Sequence, residues 1–271
     1  MINIEYVNRD PAEQEKAASN GVLKVTSDGC ILQGLIMTPT VKRDEKHPLA
    51  LFLHGFPGYE QNRDMMQALR RCGMVCAMFH YRGSWGSEGE YHLGNLMEDA
   101  KAVLTFLKEN AEAYGIDTDR IYLIGHSMGG FTAMNLIGNG INVKGAVLMA
   151  PYDAILDYTE YRANFNELMN EAIGVLNVSD ISSFGKECEK NPGWCFTKLA
   201  DTVDKKMPLL FVGAARDNCV VPEVFIEPVV KKLKELGSNP DYIVLDTTHS
   251  YDSMRIKLIE TVAEWIKKQE D

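Results

Sequence analysis

The fold of this chain is decided by the stretch Arg120-Ile121-Tyr122-Leu123-Ile124-Gly125-His126-Ser127-Met128-Gly129-Gly130-Phe131. The apolar run at residues 121–124 predicts a buried strand, and residues 128–137 predict a helix. Residues 125–129 between them fit the pattern G-x-S-x-G, which is typical of a nucleophile elbow. A turn this tight from strand to helix crowds its neighbours, which explains the glycines on either side of the serine.

The elbow makes Ser127 a candidate nucleophile. Its hydroxyl would stand above the edge of the sheet, where the first turn of the helix points free backbone N–H groups. The N–H of Met128 is therefore a candidate donor to an oxyanion that forms there. The alternative is a chance G-x-S-x-G, but the strand before it, the helix after it and a third glycine, Gly130, favour the elbow.

The rest of the chain alternates between strands and helices. An antiparallel hairpin is predicted for residues 22–26 and 30–37, around an Asp-Gly turn. Uniformly apolar runs, typical of strands covered on both faces, follow at residues 49–53, 74–79, 121–124, 143–149, 209–212 and 242–245. Amphipathic helices are predicted at residues 61–71, 96–114, 128–137, 223–236 and 252–268. The fold class is therefore α/β, a doubly wound and mostly parallel sheet with an N-terminal antiparallel hairpin.

The segment of residues 151–207 is too long to be a single crossover helix. We predict two or three helices there, forming a lid or cap inserted over the carboxyl edge of the sheet, while residues 1–150 and 208–271 form the core. An aromatic-rich lid would supply apolar walls for a substrate. The candidate substrate-binding residues are Phe165, Met169, Phe184, Trp194 and Phe196. The alternative is a structural or dimerising insertion, which leaves a homodimer open.

Charge, hydropathy and cysteine spacing argue against nucleic acid, membrane and metal partners. The chain has 28 basic and 38 acidic residues and a net charge of −10, which disfavours nucleic acid. We expect a cytoplasmic protein without a membrane partner, because there is no signal-like N-terminus and no run long enough to cross a bilayer. The six cysteines form no Cys-x-x-Cys pair, so we expect no metal site and no cofactor. Cys188 and Cys195 could be bridged, but free thiols suit the cytoplasm better.

A serine nucleophile needs a base and an acid that orients the base. His249 follows the last strand, so it is the best placed of six histidines, whereas His47 falls in a charged surface loop predicted at residues 39–48. Asp217 follows the strand at residues 209–212 and gives the chain order Ser, Asp, His. The alternative for His249 is a surface histidine, and Asp217 has less well placed rivals in Asp201, Asp204 and Asp246.

The loop after the strand at residues 49–53 reads His54-Gly55-Phe56-Pro57-Gly58. Its glycines and proline favour a tight backbone that leaves the N–H of Phe56 free as a second candidate oxyanion donor. The glycine-rich residues 81–89 lack the lysine of a phosphate-binding loop, so we expect them to pack beside the elbow.

These motifs, together with Tyr81-Arg82-Gly83, resemble the α/β-hydrolase superfamily over residues 20–268. Within it the chain is similar to serine esterases of the cinnamoyl/feruloyl type and to the catalytic domains of prolyl-oligopeptidase-like peptidases. His80 stands where many relatives have an aspartate, so the resemblance leaves the packing of that loop open.

The resemblance implies a serine carboxylic-ester hydrolase that acts through an acyl-enzyme on aromatic or short acyl esters, with no cofactor. One alternative is a serine exopeptidase or amidase with the same triad, which would need an anchor for a peptide amine such as Glu160 or Glu167. A second alternative is a non-catalytic binding protein on the same fold.

Overall fold

The computed structural model describes residues 2–11, 18–40 and 45–271. Within these residues eight strands form one sheet, and they are β1 (Ser19–Ser27), β2 (Cys30–Thr38), β3 (His47–Leu53), β4 (Val75–Phe79), β5 (Ile116–His126), β6 (Gly145–Met149), β7 (Leu209–Ala214) and β8 (Asp241–Leu245). Their order in the sheet is β1-β2-β4-β3-β5-β6-β7-β8. β1 pairs antiparallel with β2 and β2 with β4, while all other pairs are parallel. The predicted fold class is confirmed.

The register of the central strands brings four loops to one edge. Leu53 pairs with Gly125, His126 pairs with Met149, and Met149 pairs with Val212. All residues of β3, β4, β6 and β7 are buried, as expected for strands covered by helices on both faces. The segments that follow β3, β5, β6 and β7 therefore start side by side at the carboxyl edge.

The helices of the described residues are α1 (Arg63–Arg71), α2 (Leu93–Glu109), α3 (Ala111–Tyr114), α4 (Met128–Gly138), α5 (Ala154–Glu160), α6 (Arg162–Asn170), α7 (Ser182–Lys190), α8 (Phe196–Leu199), α9 (Pro222–Phe225), α10 (Glu227–Glu235) and α11 (Arg255–Glu270).

Two helices that the sequence predicts as continuous are interrupted in the structure. The helix at residues 96–114 stops at Asn110, whose side chain bonds back to the carbonyl of Phe106. The helix at residues 223–236 breaks before Pro228, which has no N–H to donate and clashes with the preceding turn.

His47 does not lie in a surface loop, so that prediction was wrong. It is the first residue of β3, its side chain is buried, and its ring Nδ1 is hydrogen-bonded to the carbonyl oxygen of Gly73 at 2.8 Å. The charged residues just before it suggested a loop, whereas its backbone N–H pairs with the carbonyl of Gly115 beside β5. Residues 41–44 of the predicted loop lie outside the described residues.

The insertion at residues 151–207 contains α5 to α8, which is more than the two or three helices expected. Backbone bonds tie it to the loop after β4, since the N–H of Asn177 donates to Gly83 and that of Tyr91 donates to Asn177. Glu187 accepts from the N–H of Gly94 in the first turn of α2. Cys188 and Cys195 are not bridged. The division into core and lid stays a prediction.

Across the described ranges, no helix combines the length and the apolar character needed to cross a membrane.

Candidate active site

The turn between β5 and α4 has the geometry of a nucleophile elbow. Ser127 has φ 54° and ψ −119°, a conformation that L residues rarely adopt and that typically costs about 1–3 kcal/mol. A Cβ on Gly125 would lie 2.4 Å from the carbonyl oxygen of Gly129, and a Cβ on Gly129 would lie 1.9 Å from that of Leu53. Neither glycine of the motif can therefore be replaced without moving the backbone.

The backbone around Ser127 fixes its position at the sheet edge. Its N–H donates to the carbonyl of Met149 at 2.9 Å, and its carbonyl accepts from the N–H groups of Gly130 and Tyr152 at 2.8 and 3.1 Å. Among the described residues, the N–H groups of Met128 and Phe56 have no hydrogen-bond acceptor. Both N–H groups are free to bind a ligand, and their role as oxyanion donors stays a prediction.

Asp217 and His249 are brought together from separate loops. Oδ2 of Asp217 lies 2.6 Å from Nδ1 of His249, and Oδ1 accepts from the N–H groups of Cys219 and Val220. The Asp217 side chain is fully buried, whereas His249 is a quarter exposed. Because the carboxylate accepts, Nδ1 carries the proton and Nε2 of His249 is left with a lone pair that can accept another.

The rival carboxylates are engaged elsewhere. Asp246 forms a two-pronged ion pair with Arg216 on the exposed surface, and Asp201 pairs with Lys232. Asp204 caps the backbone N–H of Lys206. Of the candidate acids, Asp217 is the one that contacts His249.

The ring of His126, next to Ser127, lies 5.0 Å from the ring of His249. Although both residues are described, no hydrogen bond joins the Ser127 hydroxyl to His249 in this structure. Catalytic hydrogen bonds are often long without substrate and tighten when it binds, so the geometry is compatible with a nucleophile and base pair.

The loop after β3 packs directly on the elbow. A Cβ on Gly55 would lie 3.0 Å from the Cβ of Ser127, so glycine permits this close approach. Nδ1 of His54 is 2.7 Å from the carbonyl oxygen of Gly55 and braces the loop. The ring of Phe56 contacts the rings of Tyr91 and Phe184 at centroid distances of 5.6 and 6.1 Å.

Three histidines beneath the site are buried and held neutral. Burial lowers the pKa of His54 to about 4 and the pKa values of His80 and His126 to about 3. The ring of His80 packs beside that of His54 at 5.4 Å, which answers how this loop packs without the aspartate of many relatives. The nearby acid is instead Asp99, whose carboxylate accepts from Arg82 at 2.6 Å inside the protein.

The five predicted substrate-binding residues fall into separate places. Phe184 is buried against Phe56 and Tyr91. Phe165 and Met169 line a cavity of about 440 Å³ between α6 and α7. Trp194 and Phe196 pack on Phe131 of α4. Only Phe184 contacts the candidate oxyanion loop among these contacts, and the binding role of all five stays a prediction.

Two contacts of the site escaped sequence reasoning. Tyr91, whose ring contacts those of Phe56 and Phe184, follows a glycine-rich segment without any marker of a site. The second is the contact of the His126 ring nitrogen with the His249 loop, because the sequence showed His126 only as the residue before the serine in the G-x-S-x-G motif.

The eight-stranded sheet, the elbow and the Asp217–His249 pair together define a protein of the α/β-hydrolase fold. The family BD-FAE matches residues 36–212, more than half of the chain. This chain belongs to the BD-FAE family. The match ends before Asp217 and His249, so the assignment of those two residues rests on their geometry.

Comparison with individual proteins agrees with this class. The α/β hydrolase domain-containing protein WAV2 of Arabidopsis thaliana is 27% identical over 164 residues, which is 60% of this chain and 49% of that protein. The chain thus spans about half the length of this relative.

Solved structures share the fold. An acylaminoacyl peptidase of Pyrococcus horikoshii is similar at a TM-score of 0.73 and 20% identity, over 94% of this chain but 42% of the peptidase chain. Est1E of Butyrivibrio proteoclasticus is similar at a TM-score of 0.66 and 19% identity, over 92% of this chain and 98% of Est1E.

Proposed function

We propose that this protein is a serine carboxylic-ester hydrolase that acts through an acyl-enzyme. The observation that carries the proposal is the 2.6 Å contact between His249 and Asp217, at the edge where Ser127 occupies a strained elbow. This is the arrangement that a serine nucleophile, a base and an orienting acid require. A non-catalytic binding protein has no need of it.

The mechanism follows from the positions of these groups. Nε2 of His249 takes the proton of the Ser127 hydroxyl while Oγ attacks the ester carbonyl carbon. The carbonyl oxygen becomes negatively charged and accepts hydrogen bonds from the N–H groups of Phe56 and Met128. His249 then gives its proton to the leaving alcohol as the C–O bond breaks. A water molecule, with His249 again as the base, then hydrolyses the acyl-enzyme through the same steps. Asp217 holds the correct tautomer of His249 throughout.

The preferred substrates are aromatic esters of the cinnamoyl or feruloyl kind, or short acyl esters. Est1E, which this chain matches over 92% of its own length and 98% of the Est1E chain, has been solved with ferulic acid bound. The acylaminoacyl peptidase, which this chain matches over 42% of the peptidase chain, keeps a serine exopeptidase as the alternative. Phe56, Tyr91 and Phe184 provide an apolar aromatic cluster next to the proposed oxyanion site.

The test is Ser127→Ala, assayed with a panel of p-nitrophenyl esters and aminoacyl anilides. Loss of the nucleophile should lower kcat by roughly 10⁴-fold or more while the protein stays folded. Ser250→Ala, next to His249, is the matched control and should keep most of the activity. A variant without Ser127 that retains more than about a tenth of wild-type activity would refute the assignment, and turnover of anilides alone would favour the amidase.

A further inference from the structure

We infer that His126 is a positioning residue, which holds the His249 loop in place relative to Ser127 by donating a hydrogen bond from its ring to the backbone carbonyl of His249. The inference rests on the proposed roles of Ser127, Asp217 and His249. It concerns how the base is located and adds no reacting group.

The first argument is the contact itself. Nε2 of His126 lies 3.0 Å from the carbonyl oxygen of His249, a residue 123 positions further along the chain. The two rings are 5.0 Å apart and tilted by 40°, and the ring of Tyr251 lies 6.1 Å away on the same loop. His126 is the last residue of β5, so its backbone is fixed by the central sheet.

The second argument is that His126 also contacts the oxyanion loop. A Cβ on Gly55 would come within 3.6 Å of Nδ1 of His126, so the backbone of that loop lies against the ring. The ring therefore stands between Gly55 on one side and His249 on the other. A single side chain on the rigid strand thus touches both loops that must be aligned with Ser127.

The third argument concerns the proton. The acceptor is a carbonyl, so Nε2 must carry the hydrogen, and Nδ1 has no hydrogen-bond partner among the described residues. The pKa of His126 is lowered to about 3, mainly by burial and also by the neighbouring charges of His249 and Arg255, while the hydrogen bond to the His249 carbonyl acts in the opposite direction. The ring is thus a neutral donor throughout the pH range in which a histidine base operates.

The bond matters because His249 has few other restraints. Asp217 holds its ring at Nδ1, but this hydrogen bond alone leaves the backbone free to shift. The other contacts of the loop act on its neighbours on both sides: the carbonyl of Thr247 accepts from the N–H of Arg216, and the Tyr251 hydroxyl donates to the carbonyl of Val212. A displacement of the base by about 1 Å can cost on the order of 100-fold in rate.

The experiment compares His126→Gln with His126→Asn. The longer amide can place an N–H donor near the position of Nε2, whereas the shorter one cannot reach it. We expect kcat to fall by about 10- to 100-fold in His126→Asn and to be restored to within about threefold of wild type in His126→Gln. KM should change little in either. Circular dichroism and melting temperature confirm that both variants are folded under assay conditions, and Ser127→Ala is measured in the same assay.

Equal activity in the Gln and Asn variants, whether both high or both low, would overturn the inference, because the hydrogen bond would then make no difference. A loss in His126→Asn that appears in KM instead of kcat would also overturn it. An active Ser127→Ala would instead show that the proposed function has failed, so the two failures are distinguishable.

Discussion

Acid should destabilise this protein through its buried histidines, and replacing His80 by Asn should remove the share of the effect that this residue contributes. His54, His80 and His126 each have one buried ring nitrogen without a hydrogen-bond partner among the described residues. Protonation there would create a buried charge and, at these nitrogens, an unmatched N–H. Burial is the main cause of the lowered pKa of His80, followed by the charges of His54 and Arg63.

The magnitude follows from linkage. The folded pKa values of about 4, 3 and 3 lie below the value of 6.5 for an unperturbed histidine. Between these limits the unfolded chain binds more protons, so stability is present above about pH 6.5 and is lost as the pH falls. From pH 7.5 to 5.5 each histidine should remove about 1.4 kcal/mol, and the three together about 4 kcal/mol. This is a large part of a typical stability of about 5–15 kcal/mol.

The assay is urea unfolding followed by circular dichroism at pH 7.5, 6.5 and 5.5. His80→Asn should lose about 1.4 kcal/mol less than wild type over this range. Burial raises the pKa values of Asp99, Asp153 and Asp157, which oppose the histidines, but they are present in both proteins and cancel in the difference. Val22→Thr, on the exposed face of β1, should shift stability equally at every pH. If His80→Asn lost as much stability as wild type, His80 would not be buried as described.

Two further predictions concern the site. Asp217→Asn should lower kcat by roughly 10⁴-fold, because it removes the acceptor that sets the His249 tautomer. Asp246→Asn breaks only an exposed ion pair with Arg216, so its activity in the same ester assay should stay near wild type. The reverse result would move the acid to Asp246. Phe184 lies next to Phe56, so Phe184→Leu should raise KM for bulky aromatic acyl esters more than Trp194→Ala does. Hydrolysis of an acetyl ester should be nearly unchanged. An unaltered ester profile in both variants would show that the insertion is not part of the binding site.

Much of the fold could be predicted because it depends on local patterns. Continuous apolar runs of about four to seven residues are typical of strands covered on both faces, and each run became a strand of the sheet. Coverage on both faces was wrong for the run at residues 242–245, because β8 is the last strand of the sheet and Ile243 and Val244 are exposed. The hairpin was marked by its Asp-Gly turn, and the elbow by glycines at Gly125 and Gly129 where a Cβ would strike backbone. The predictions failed where a tertiary contact outweighed the local pattern. At His47, for example, the charged neighbours indicated a loop, whereas the residue is buried at the start of β3.

The sequence by itself determined the alternation of strands and helices, the strained serine and the order Ser, Asp, His along the chain, because each is expressed by neighbouring residues. Only the tertiary structure decided which acid meets His249 and where the aromatic residues of the insertion lie. It also placed the ring of His126 against a carbonyl 123 residues away. These contacts join segments that meet only when the parallel register aligns the ends of β3, β5, β6 and β7, and that alignment is a property of the whole sheet.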